Sequence, residues 1–272
     1  MSWWLRQYYT AQEALVVPDF TFEISRGNIT GYSTVHKFGR NSAVGTTIVP
    51  ICDGGNYQTP TSAQSIEFVS SSASDALNST GMHELTIVGL DATGALQTTS
   101  TAAHATDGTT AVSVSGTWIR IFRAYVSSSG AYATQTTPSQ IGAITIRTAS
   151  GGSTWLTIPT VATGFGAGQS LCGAYTVPLG YTAYILDSSV HVDANKNADI
   201  FFFKRENILD TSSSYSGVMR LQSVQLGITG GYNFNHRTNE AYAALTDIGF
   251  MGVVSSGTAD ISCEFELLLV AD

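Results

Sequence analysis

Residues Leu171 to Ile208, LCGAYTVPLGYTAYILDSSVHVDANKNADIFFFKRENI, decide the fold class of this 272-residue chain. A first arm, Tyr181 to Val192, carries Tyr181, Tyr184, Ile185, Leu186, Val190 and Val192. A second, Asp199 to Glu206, carries Ile200, Phe201, Phe202 and Phe203. β-branched and aromatic residues at this density suit a pleated, half-buried surface. Between the arms, Asp193, Asn195 and Asn197 have side chains that imitate backbone hydrogen bonds, and before them Pro178 and Gly180 supply turn geometry. The stretch therefore predicts a β-hairpin. Phe201, Phe202 and Phe203 in succession place apolar rings on both faces of one strand, so that strand must be covered on both sides.

The length allows one large β domain or two of ordinary size. Only 12% of the residues are charged, where a soluble domain usually has about a quarter. Ser, Thr, Gly, Asn and Gln take their place, and a surface so poor in charge favours association. The net charge of −8 and the absence of any Lys/Arg cluster exclude a nucleic-acid footprint. Cys52, Cys172 and Cys263 form an odd set without CxxC spacing, which predicts buried thiols and no disulfide framework or zinc site. The first residues lack the pattern of a signal peptide, and no window of about 18 apolar residues occurs. The expectation is a protein made in a cytoplasm that stays soluble and has no membrane partner.

In chain order, residues 1–19 read as an arm with a short helix over Leu5 to Val16, whose Trp3, Trp4, Tyr8 and Tyr9 either pack on the parent domain, the simpler reading, or anchor into a neighbouring subunit. Phe20, Phe22 and Ile24 alternate with polar residues, which predicts a strand. Further alternations follow at Ile66 and Phe68, Leu85 and Ile87, Trp118 to Val126, and Ile144 and Ile146, separated by tracts such as Ser70 to Ser74 and Thr98 to Thr101. No amphipathic helix of three turns interrupts them, so the fold is all-β, an antiparallel sandwich or barrel. The small, polar run Thr148 to Ser153 predicts a linker between two β-sandwich domains, 20–149 and 150–272. Between Val218 and Ile228 the apolar parity switches after Leu221, as a bulge would cause. Ile261, Cys263, Phe265, Leu267 and Leu269 define a final one-sided strand, expected to close the second sheet.

Candidate chemistry is thin. Asp193, Asn195 and Asn197 begin like a calcium loop, but Ala198 stands where glycine is needed and Lys204 at the twelfth position, so a turn is the better reading. His83 and Glu84 have Ile87 in place of the second zinc histidine, and His191 with Asp193 lacks further ligands at metal spacing. Glu264 and Glu266 sit on the polar side of the last strand. Gly164, Gly166 and Gly168 lack the Lys-Ser/Thr of a phosphate loop. The expectation is a non-enzymatic protein with no catalytic, cofactor-binding or metal site.

Two regions carry a resemblance. FEISRGNITGY from Phe22 and HKFGRNSAVG from His36 resemble the start of virion structural proteins of tailed, cyanophage-like bacteriophages. AYTVPLGYTAY from Ala174, FKRE from Phe203, LTDIGF from Leu245 and SCEFELLLV from Ser262 are similar to the C-terminal region of the same group. Cys52 departs from the tryptophan expected before Asp53-Gly54. The resemblance implies a jelly-roll-rich particle component, most simply a homotrimeric decoration or cement protein on the capsid, partnered by itself and by the major capsid protein. The alternative is a tail or head-fibre component binding a host receptor or glycan, for which Tyr232 to Arg237 is the candidate loop.

Overall fold

The computed structural model describes residues 19–134, 137–160, 168–193, 195–211, 218–234, 236 and 240–272. Among them run α1 (Phe20–Ser25), β1 (Tyr32–Val44), β2 (Val49–Pro50), β3 (Gln64–Ser70), β4 (Met82–Leu90), β5 (Leu96–Ala102), β6 (Val112–Trp118), β7 (Arg120–Ser129) and β8 (Ile144–Thr148). Then come β9 (Thr154–Ile158), β10 (Ala174–Thr176), β11 (Tyr181–Val192), β12 (Ala198–Arg205), β13 (Met219–Ile228), β14 (Gly230–Phe234), β15 (Ala241–Tyr242), β16 (Asp247–Val254) and β17 (Ala259–Ala271). The fold is all-β and every strand pairing is antiparallel.

The strands form two pairs of sheets. In the first, β1-β17-β11-β14 faces β10-β16-β12-β13 across a core that includes Ile185, Phe202, Phe250 and Phe265. In the second, β6-β3-β8-β9 faces β5-β4-β7 across Ile66, Phe68, Leu85, Trp118 and Trp155. The segment from Asp53 to Leu171 builds the whole second pair, and the chain leaves and re-enters the first pair through the antiparallel bridge Cys52↔Cys172.

This pairing corrects the sequential division at residue 149. β1 binds β17 along nearly its full length, from Tyr32↔Val270 to Val44↔Ala259, and β2 binds β16, so residues before 52 belong with the C-terminal strands. Thr148 to Ser153 is no linker: it turns β8 into β9 in the register Ile144↔Ile158, with Ser150 and Gly151 at positive φ. Glu67 fixes that turn by accepting from the backbone of Ser150 and Gly151 while pairing with Arg147 at 2.8 Å. A short polar run has the same composition whether it separates domains or turns a hairpin.

The expected hairpin at Tyr181 to Glu206 is likewise corrected. Both arms are strands, but β11 pairs with β14, β15 and β17 while β12 pairs with β13 and β16. The connection crosses from one sheet to the other, and Val190, Val192, Ile200 and Phe202 meet across the core. The expectation for the three phenylalanines holds: Phe202 enters the first core, while Phe203, with Phe201 beside it, enters the second. The sheet containing β12 is thus a middle layer shared by both cores.

Phe20, Phe22 and Ile24, expected as a strand, lie in α1. Asp19 caps it, accepting from the backbone of Thr21 at 2.9 Å and Phe22 at 3.3 Å, and two satisfied first-turn donors outweigh an alternation of only three residues. Ile24 alone is buried there. Thr98 to Thr101 is not a separating tract but part of β5, paired from Leu90↔Leu96 to Glu84↔Ala102. β17 carries its five apolar residues inward as expected, yet it lies between β1 and β11 rather than closing a sheet. The arm with Trp3, Trp4, Tyr8 and Tyr9 lies outside the described residues, as do Gly164 and Gly166.

Candidate functional site

The two sheet pairs are joined by polar groups withdrawn from water. Arg120, at the start of β7, forks onto Asp247, at the start of β16, with Nε and Nη2 donating to the carboxylate oxygens at 2.9 and 2.8 Å. Both side chains are 1% exposed. The remaining groups are occupied: Arg120 Nη1 donates to the Ile119 carbonyl at 2.8 Å, Thr176 donates to Asp247 at 2.7 Å, and the Tyr57 hydroxyl lies 2.6 Å from Thr176 Oγ1. Burial works against the Arg120 charge, but the adjacent carboxylate outweighs it and holds the guanidinium pKa above its ordinary value. Burial, reinforced by Asp247, pushes the Tyr57 phenol well up. A buried bidentate pair of this kind fixes geometry, because neither partner tolerates being left alone.

Two residues further along β7, the Phe122 carbonyl accepts from the ammonium of Lys37, which is 6% exposed and sits 5.8 Å from the centre of the Phe122 ring. Burial lowers the Lys37 pKa from the ordinary 10.5. The unfolded chain then holds a proton that the folded chain has released, so this residue makes stability rise with pH between the lowered value and 10.5, and its penalty is present in full below that window. Lys37→Met is expected to leave the melting temperature unchanged or raise it at neutral pH, and to flatten the alkaline rise relative to wild type in pH-resolved thermal melts.

Lys37 also lines an open cleft of about 480 Å³ where β1 meets β7, together with Phe38, Arg123, Tyr125, Tyr175 and Tyr181. Among the described residues no Asp or Glu lines it. Arg123 stacks 5.2 Å above the Tyr125 ring, and one of its terminal nitrogens donates to Gln169 Oε1 at 3.4 Å.

On the far side of the junction, β13 is the outer strand of the middle layer. Its pairs Phe201↔Val224, Phe203↔Leu221 and Arg205↔Met219 put Met219, Leu221 and Val224 on the face of Phe201 and Phe203, beyond the cover of the second sheet pair. Leu226, two residues past Val224, is 71% exposed, while Ile228 turns into the first core. The parity switch expected from the sequence coincides with a register shift between Phe202↔Ser223 and Phe203↔Leu221, and a second shift falls between Ile200↔Gln225 and Ala198↔Ile228. The first shift keeps Met219 and Leu221 on the face of Val224, and with the exposed Leu226 they make an apolar row.

The other sequence candidates are dispersed. Asp193 accepts from the backbone of Asp260 at 3.1 Å and serves the β11–β12 crossing. Glu264 bonds Ser189 at 3.0 Å on an open sheet face. His83 bonds the Ser79 carbonyl at 2.7 Å. Of the loop proposed for glycans, Tyr232 is exposed, Phe234 is buried, His236 lies 2.6 Å from the Ser188 hydroxyl, and Asn235 and Arg237 fall outside the described residues. Cys52, Cys172 and Cys263 are all buried free thiols. Among the described residues no three His, Cys, Asp or Glu side chains gather at ligand spacing. EDTA is expected to leave the melting temperature unchanged; a fall reversed by calcium would make Asp193 a ligand. No helix among the described residues is long and apolar enough to cross a membrane. The Lys37 cluster and the buried ion pair had no sequence signal, and of the row on β13 only the parity switch was legible, since each depends on which strands become neighbours.

No protein-family model and no curated protein matches this chain. Among solved structures it is similar to the VP2 subviral particle of infectious bursal disease virus, at 8% identity and a TM-score of 0.25 over 94% of this chain and 74% of that one. It is also similar to the structure of the Gx strain of infectious bursal disease virus, at 7% identity and a TM-score of 0.20 over 88% of this chain and 76% of that one. Likenesses this loose carry no argument for fold or function.

Proposed function

We propose that this chain is a non-enzymatic virion structural protein that assembles with copies of itself and with other particle proteins, as a capsid decoration or cement protein. The observation that carries assembly is the row Met219, Leu221, Val224 and Leu226, exposed on an outer strand whose only charged residue is Arg220. Covering such a row stabilises a contact by roughly 25 cal/mol per Å² of apolar surface, and many copies on a particle add avidity to modest contacts. The buried junction supports the same role, because an assembly surface is useful only if the two sheet pairs hold their mutual orientation. The particle, and a homotrimeric state within it, rest on the sequence resemblance. The test is sedimentation of the purified protein with and without phage particles stripped of it. Self-association together with rebinding supports the reading, and a chain that remains monomeric and fails to rebind overturns it.

The second reading, a tail or head-fibre component binding a receptor or glycan, is favoured by the cleft of Arg123 and Tyr125, whose cation and aromatic face suit an acidic sugar. Under it, titration with uronic-acid oligosaccharides saturates, and Arg123→Ala abolishes the response.

A further inference from the structure

We propose that β13 pairs with β13 of a second copy across a two-fold axis, in the antiparallel register that sets Leu221 opposite Val224 and Met219 opposite Leu226. This rests on the reading that the chain assembles with copies of itself, not on the homotrimer, and names the partner of that surface. The order of residues along the strand, Met219-Arg-Leu-Gln-Ser-Val-Gln-Leu226, is the same pattern of apolar and polar positions read in either direction. About a centre between Gln222 and Ser223, each apolar residue meets an apolar one, Arg220 meets Gln225, and the two Arg220 side chains stay apart. An isologous contact requires this self-complementarity, and a contact with an unrelated chain does not.

The backbone permits the same register. Antiparallel partners must share a face, and without the shift at Leu221 to Ser223 residues 221 and 224 would point to opposite faces. With it, both lie on the face of Phe201 and Phe203. β13 pairs with β12 on one side, and among the described residues no strand occupies its other edge. An outer strand this poor in charge would ordinarily invite indiscriminate strand addition, but the second bulge, past Gln225, ends the ladder and leaves a short matched segment. Opposed side chains in such a pair have Cβ atoms about 4.5–5.5 Å apart, within disulfide reach.

The test uses the full-length chain carrying Leu221→Cys and Val224→Cys together, oxidised with glutathione disulfide, so that two thiols become one disulfide and two reduced glutathiones are released. The native cysteines are buried and serve as the wild-type control. The double variant is expected to give a covalent dimer on a non-reducing gel, with mass spectrometry finding a disulfide from position 221 of one copy to position 224 of the other. Either single variant, whose thiols lie about 10 Å apart across the axis, is expected to give none. Leu226→Asp is expected to weaken association by about a hundredfold in sedimentation equilibrium, because a carboxylate enters an apolar contact. All three substitutions are at exposed positions, and an unchanged dichroism spectrum certifies the fold. Association that survives Leu226→Asp and yields no link between positions 221 and 224 overturns the two-fold pairing and leaves the assembly reading intact. A wild-type chain that stays monomeric and does not rebind stripped particles overturns both.

Discussion

Asp247→Ala is expected to lower the unfolding free energy by about 3–5 kcal/mol, since it leaves the Arg120 guanidinium buried without its counter-charge. For a chain of this size that corresponds to a fall in melting temperature of roughly 10 °C. Arg120→Ala is expected to cost a similar amount, stranding Asp247 among Thr176 and Tyr57. The double replacement Arg120→Met with Asp247→Leu is expected to recover most of the loss, because two apolar side chains of similar volume leave nothing uncompensated. Denaturant titrations followed by dichroism and by tryptophan fluorescence provide the check. Trp118 and Trp155 report on the second core, so a broken junction should separate the two transitions as well as shift them. A single-site loss below about 1 kcal/mol, the range of an exposed pair, would show that the charges are not held dry.

Gly39→Ala is expected to be at least as damaging, for a steric reason. A Cβ at residue 39 would stand 2.1 Å from the backbone nitrogen of Gly173 and 2.2 Å from the carbonyl oxygen of Ile51. Those two atoms are bonded to each other at 2.9 Å, beside the Cys52↔Cys172 bridge through which the chain passes between the sheet pairs. Neither can retreat without opening the neck, so one methyl group forces β1 away from β10. The expected outcome is little or no soluble folded protein, or a melting temperature below that of Asp247→Ala. Gly45→Ala is the control: nothing lies within 4 Å of its Cβ position, and its stability should match wild type.

The strand content was legible because period-two alternation and the scarcity of helix-compatible runs do not depend on which strand pairs with which. Burial on both faces of the Phe201 to Phe203 strand was legible for the same reason, as was the inward row from Ile261 to Leu269. The reading failed where distinct structures share one local composition. Asp193 to Asn197 turns the chain whether it leads to the adjacent strand or to the opposite sheet, and Thr148 to Ser153 is equally suitable as linker or hairpin turn. At Phe20 to Ile24 three alternating residues were too few to weigh against a capping aspartate.

The candidate surfaces divide along the same line. Amino-acid order alone determined an all-β chain with little charge, three buried thiols and a parity break between Leu221 and Val224, since each is a property of a residue or its near neighbours. Only the tertiary structure decided that β1 and β2 join the C-terminal strands, that Arg120 finds Asp247 across 127 positions, and that the parity break faces solvent on an outer strand. Pairing between residues far apart is set by how all the apolar rows can be covered at once, a condition on the whole chain that no window of sequence contains.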